Sequence, residues 1–185
     1  NSLIVDDPAN RTIKLTDPGD HVNSRFVEAT KSAAPKDVRL FKQQNRTLLG
    51  AAGGIRGRLK LQIDTNDANA GTDAPWAIVT ATYLPHDAEN PGDTEAFVAQ
   101  ADARGEFTID LAGIRWPDDD TKPAFTLSIE SLAGLKADKA ADPDKFVDFR
   151  ISTDGTAGNL QAGFAVTLDN YGEVKKLGNL LVAPV

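Results

Sequence analysis

Ile55 to Ile63 reads IRGRLKLQI. Ile55, Gly57, Leu59, Leu61 and Ile63 alternate with Arg56, Arg58, Lys60 and Gln62. A period of two puts one dry and one wet face on an extended segment, which is the signature of a half-buried β-strand. No other stretch of the chain alternates as cleanly, so it sets the reading of its neighbours.

Downstream the same signal returns at intervals. Trp76 to Leu84 is β-branched and aromatic, and Glu95 to Ala101 is apolar. Phe107, Ile109 and Leu111 alternate, as do Phe125, Leu127 and Ile129. Phe146 to Ser152, Leu160 to Leu168 and Val174 to Val185 complete the set. Loops rich in Gly, Pro, Asn and Asp separate them, such as Asp64 to Ala74 and Pro85 to Asp93. Short strands with polar turns between them predict an all-β fold, an antiparallel β-sandwich of seven or more strands. A doubly wound α/β fold needs amphipathic helices between its strands. Only Leu132 to Ala141 is a candidate, so that fold is rejected.

Residues 1 to 54 read differently. Ser2 to Val5 and Thr12 to Leu15 are short strand-like pieces, Phe26 to Lys31 admits a short helix, and Val38 to Phe41 is a further strand candidate. Gly50 to Gly54 reads as a linker. These pieces are too short and polar to make a core. The division expected is therefore an extended N-terminal arm, 1–54, and a sandwich, 55–185.

Between two of the strands lies QADARGEF, Gln100 to Phe107. Asp102 can accept hydrogen bonds from backbone amides ahead of it, and Gly105 takes a positive φ without steric cost. Phe107 then points inward. The expectation is a tight hairpin of defined register.

This turn also carries a resemblance. Gly57 to Leu59, then Pro75-Trp76-Ala77-Ile78-Val79, then Asp102-x-x-Gly105-x-Phe107, then Phe125-Thr126-Leu127 resemble the carboxypeptidase regulatory-like, or transthyretin-like, β-sandwich over residues 55 to 131. The chain departs from that pattern at Trp76, where the family usually has glycine, and at Ala101, where threonine is common. The resemblance implies a non-catalytic module that serves as spacer, adhesion unit or docking platform, with no catalytic residues to carry over.

Composition agrees with such a module. The chain has 185 residues, 41% of them hydrophobic, enough for one β domain with extra segments. Its formal net charge of −7 argues against nucleic-acid binding, which needs clustered Lys and Arg. Cysteine is absent, which excludes disulfides and thiolate catalysis. Methionine is absent too, so the chain reads as a processed mature form or a fragment; processing would suit a secreted protein. No apolar run is long enough to span a membrane as a helix.

Chemistry-bearing constellations are sparse, and no enzyme is expected. The two histidines, His21 and His86, are too few for a zinc site. No G-x-S-x-G elbow occurs. The candidate ligands for Ca²⁺ are Asp64, Asn66 and Asp67 in one loop and Asp118, Asp119 and Asp120 in another, without EF-hand spacing. Trp116, bordering the second loop, is the candidate for stacking on a sugar.

The function expected is a structural or interaction protein, a β-sandwich subunit of an extracellular or cell-surface assembly such as a filament or appendage. Its partners would be copies of itself or other subunits. Apolar terminal segments would pair with a neighbour's sheet edge. The contact candidates are Leu3, Ile4, Val5, Ile13, Leu15, Leu180, Leu181 and Val182. The alternatives are a carbohydrate- or calcium-binding accessory module, or a component of a phage-like contractile tail.

Overall fold

The computed structural model describes residues 11–15, 25–29, 41, 49–62, 71–85, 88–90, 92–116, 122–132, 146–152, 154 and 159–185, the first two segments as backbone alone. Among the described residues the fold is essentially all-β, with no α-helix and therefore none long and apolar enough to cross a membrane.

The described residues form two sheets. β1 (Arg11–Leu15) and β2 (Arg25–Ala29) pair antiparallel, with Ile13 opposite Val27 and Leu15 opposite Arg25. The helix admitted from Phe26 onward is a strand instead. Phe26 and Val27 favour extended backbone, and β1 supplies the hydrogen-bonding partner that local propensity cannot see.

The larger sheet has ten strands: β3 (Gly54–Leu61), β4 (Thr72–Asp73), β5 (Ile78–Tyr83), β6 (Glu95–Gln100), β7 (Glu106–Asp110), β8 (Ala124–Ser131), β9 (Val147–Ser152), β10 (Leu160–Gln161), β11 (Phe164–Thr167) and β12 (Val174–Pro184). Its path runs β4-β3-β12-β9-β8-β5-β6, with β7 beside β3, β10 beside β9 and β11 beside β8. The sheet curls on itself and is mixed. β12 runs parallel to β3, whereas every other pair is antiparallel. An all-antiparallel sheet was expected; the last strand overturns it by returning alongside the first strand of this sheet in the same direction. Parallel neighbours need a long crossover, and here the whole intervening chain is the crossover.

The core lies inside the curl. Ile55 and Leu59 of β3, Phe107 and Ile109 of β7, Phe125, Leu127 and Ile129 of β8, and Phe149 and Ile151 of β9 are buried, as their alternation requires. Phe107, Phe125 and Phe149 are among the largest fully buried side chains. Burying an aromatic of this size contributes about 1.5–3 kcal/mol relative to leaving it exposed. Arg56, between Ile55 and Gly57, faces water.

The glycine run before β3 is not a spacer. Gly53 donates to the Gly50 carbonyl (3.1 Å), and Gly54 donates to the Glu173 carbonyl just before β12 (2.9 Å). A Cβ on Gly53, whose φ is +83°, would sit 2.0 Å from that same carbonyl oxygen. The run is small because β3 and β12 start in contact there.

Candidate functional site

The Asp102–Phe107 turn forms as its residues dictate. Asp102 Oδ1 accepts from the amides of Arg104 (2.8 Å) and Glu106 (2.9 Å), and Gly105 adopts φ +72°. The Gly105 carbonyl accepts from the Leu59 amide at 2.8 Å, docking the turn on β3. The strands on either side do not continue as a hairpin. β6 pairs with β5, and β7 pairs with β3. The turn therefore carries the chain from the β5 end of the sheet round to β3. Register is set by those separate partners and not by the turn.

Across from it, Pro75 and Trp76 form a second turn, and Trp76 has φ +60°. Proline followed by a residue of positive φ is the pattern of a type II turn, which favours glycine at the second place. Trp76 thus stands where a glycine would be unstrained.

The Asp102–Phe107 turn borders an open groove of about 490 Å³ on the outer face of β3, β7 and β12, with Arg56, Arg58, Arg104 and Lys176 in its lining. Register fixes the layout. Thr108, Arg56 and Lys176 lie in one row across β7, β3 and β12; Glu106, Arg58 and Asn179 lie in the next. Between the rows β12 bulges, and Gly178 there has φ +68°. The floor is Gly57, where a Cβ would meet the Phe107 ring at 2.8 Å.

Two of the four cations are neutralised. Arg58 Nη2 lies 2.8 Å from Asp73 Oδ1 and donates to Oδ2 at 2.9 Å, and its Nε donates to the Arg104 carbonyl at 3.0 Å. The hydrogen bond to Asp73 raises the Arg58 pKa further. Lys60 Nζ sits 2.6 Å from Asp73 Oδ1. That hydrogen bond, and then the one from Arg58, hold the Asp73 carboxyl below the usual range. Oδ1 is shielded from water and in ionic contact with both cations. Arg104 pairs with Glu106 (3.0 Å) and, more loosely, Asp102 (3.6 Å). Arg56 and Lys176 carry no ion pair among the described residues.

The other candidate residues fall in several places. Leu3, Ile4, Val5, Asp64, Asn66, Asp67, Asp118, Asp119 and Asp120 lie outside the described residues, as do His21 and His86. Among the described residues no three His, Asp or Glu side chains gather as metal ligands. Ile13 and Leu15 are in β1. Leu180, Leu181 and Val182 are buried in β12, whose backbone there pairs with β3 and, at Val182, also with β9. This part of the terminus is an internal strand of its own sheet. Trp116 is half-buried against the core and meets the Tyr171 ring edge-on, 5.6 Å between centroids. Tyr171 is 59% exposed. Sequence reading passed over Tyr171, which is far from Trp116 in the chain.

Among the described residues β6 forms a strand ladder with β5 alone, while Gln100 at its end donates to the Trp76 carbonyl (3.2 Å) and Glu95 accepts from Arg115 (2.9 Å). Its sequence EAFVAQ has neither Lys nor Pro, Ala96 is exposed, and Val98 is 46% exposed.

No protein-family model, no curated protein and no solved structure matches this chain.

Proposed function

We propose that this chain is a non-catalytic interaction protein, a transthyretin-like β-sandwich that serves as a subunit of an extracellular or surface assembly and joins its neighbours by strand pairing. The observation that carries this reading is β6. A strand laddered on one side leaves backbone amides and carbonyls along its other edge, here over Glu95 to Ala99, for another chain. Proteins that avoid such pairing blunt the edge with Lys, Pro or a bulge. β6 has none of these, and the side chains it turns outward, Ala96 and Val98, are apolar. The N-terminal segment Ser2 to Val5 is the proposed donor, because its apolar Leu-Ile-Val run is the composition that strand addition uses.

Light scattering over a concentration series, with electron microscopy of the same sample, tests the reading. The unaltered chain is expected to form a defined oligomer or polymer. Val98→Lys is expected to leave a folded monomer, because Val98 is outside the core. Deleting residues 1 to 20 is expected to abolish assembly as well. A strictly monomeric parent chain, or assembly that survives both changes, would sink the proposal.

A further inference from the structure

We propose that the groove on β3, β7 and β12 is an anion-binding site, in which Arg56 and Lys176 together hold one oxyanion of the ligand. The argument starts from their register. The two residues are partners in the parallel β3–β12 ladder, and both side chains are exposed on the same face. Neighbouring strands lie about 4.8 Å apart, so two cations stand side by side. Like charges placed opposite one another are destabilising. The chain has 27 acidic residues and a net charge of −7, yet places no carboxylate in ion-pair contact with either among its described residues. The neighbouring cations behave otherwise: Arg58 is tied to Asp73, and Arg104 to Glu106.

The surroundings suit a ligand. Gly178 lines the groove where β12 bulges between Lys176 and Asn179, and a Cβ there would meet nothing within 4 Å, so no side chain fills that part of the groove. Thr108, in the same row as Arg56, adds a hydroxyl donor. Arg58 and Arg104, each paired with a carboxylate, line the groove beside Arg56 and leave the unpaired charge at Arg56 and Lys176. An oxyanion there would relieve the Arg56–Lys176 repulsion and accept charge-assisted hydrogen bonds from both. The site shares no residue with β6, so it stands or falls separately from strand pairing.

Isothermal titration at low ionic strength tests it with two probes, inorganic phosphate and a short oligoglutamate peptide. Saturable binding of at least one probe to the parent chain is expected. It should weaken at least tenfold in the Arg56→Gln/Lys176→Gln double variant and fall with added salt. That variant should melt no lower than the parent, since it loses a repulsive pair. Arg150→Gln removes an exposed cation beside Ala183, away from the groove, and should bind as the parent does. Binding of phosphate alone assigns a phosphate- or sulfate-type ligand, and binding of the peptide assigns a carboxylate ligand. No saturable binding of either probe, or equal loss in Arg150→Gln, overturns the site.

Discussion

Gly105→Ala should be among the most damaging single-methyl changes in this protein, and a second glycine provides its control. Gly105 has φ +72° and Gly178 has φ +68°, so an alanine at either pays the same left-handed backbone cost of roughly 1–2 kcal/mol. Restricting the unfolded chain returns about 0.4–1 kcal/mol in both cases. Gly178→Ala should therefore cost about 1 kcal/mol, because a Cβ there has nothing within 4 Å. At Gly105 the new Cβ would lie 2.5 Å from the Leu59 carbonyl oxygen and 3.2 Å from the amide and carbonyl of Ala74. These are backbone atoms of packed segments and cannot swing aside. Overpacking adds about 1–3 kcal/mol, and disturbing the 2.8 Å bond from Leu59 to Gly105 adds about 1 more. The total is about 3–5 kcal/mol. For a chain of this length that corresponds to a fall in Tm of roughly 6–20 °C, against roughly 2–4 °C for Gly178→Ala. Urea and thermal unfolding of the two variants side by side measure the difference. If they differed by less than about 0.5 kcal/mol, close docking of the turn on β3 would be refuted.

Two further perturbations follow from local geometry. At Trp76, glycine should be a better replacement than alanine by about 1 kcal/mol in urea unfolding, because both lose the indole but only alanine keeps the strain of φ +60°; equal losses would refute that strain. Asp169 accepts hydrogen bonds from Lys122 (2.7 Å) and Lys175 (3.0 Å), which lower its carboxyl from 3.8 to about 2. Because the folded value lies below the unfolded one, the stability it contributes is complete above about pH 4 and is lost as pH falls through 2. Carboxyl-detected NMR should give a midpoint near 2 that rises toward the ordinary value in Lys122→Gln. A midpoint near 3.8 in the parent chain would contradict the pairing.

Much of this fold was legible because burial on one face of a strand leaves a period-two record in the chain. Ile55 and Leu59, Phe107 and Ile109, and Phe125 to Ile129 all announced their inward faces this way, and the Asp102–Gly105 turn announced itself through the bonding capacity of Asp and the φ of Gly. What alternation cannot encode is which strand lies beside which. Hydrogen-bonded neighbours are chosen by the shape of the whole sheet, so only the tertiary structure placed β12 parallel to β3, sent β6 and β7 to different partners, and turned the Phe26 segment into a strand against β1. The same limit applied to the candidate sites. Leu180 to Val182 looked like a free apolar terminus until pairing with β3 and burial made them internal. Arg56 and Lys176, 120 residues apart in the chain, read separately as ordinary wet-face residues. They became a charged pair only because a parallel ladder set them side by side, and that proximity is a property of the folded sheet alone.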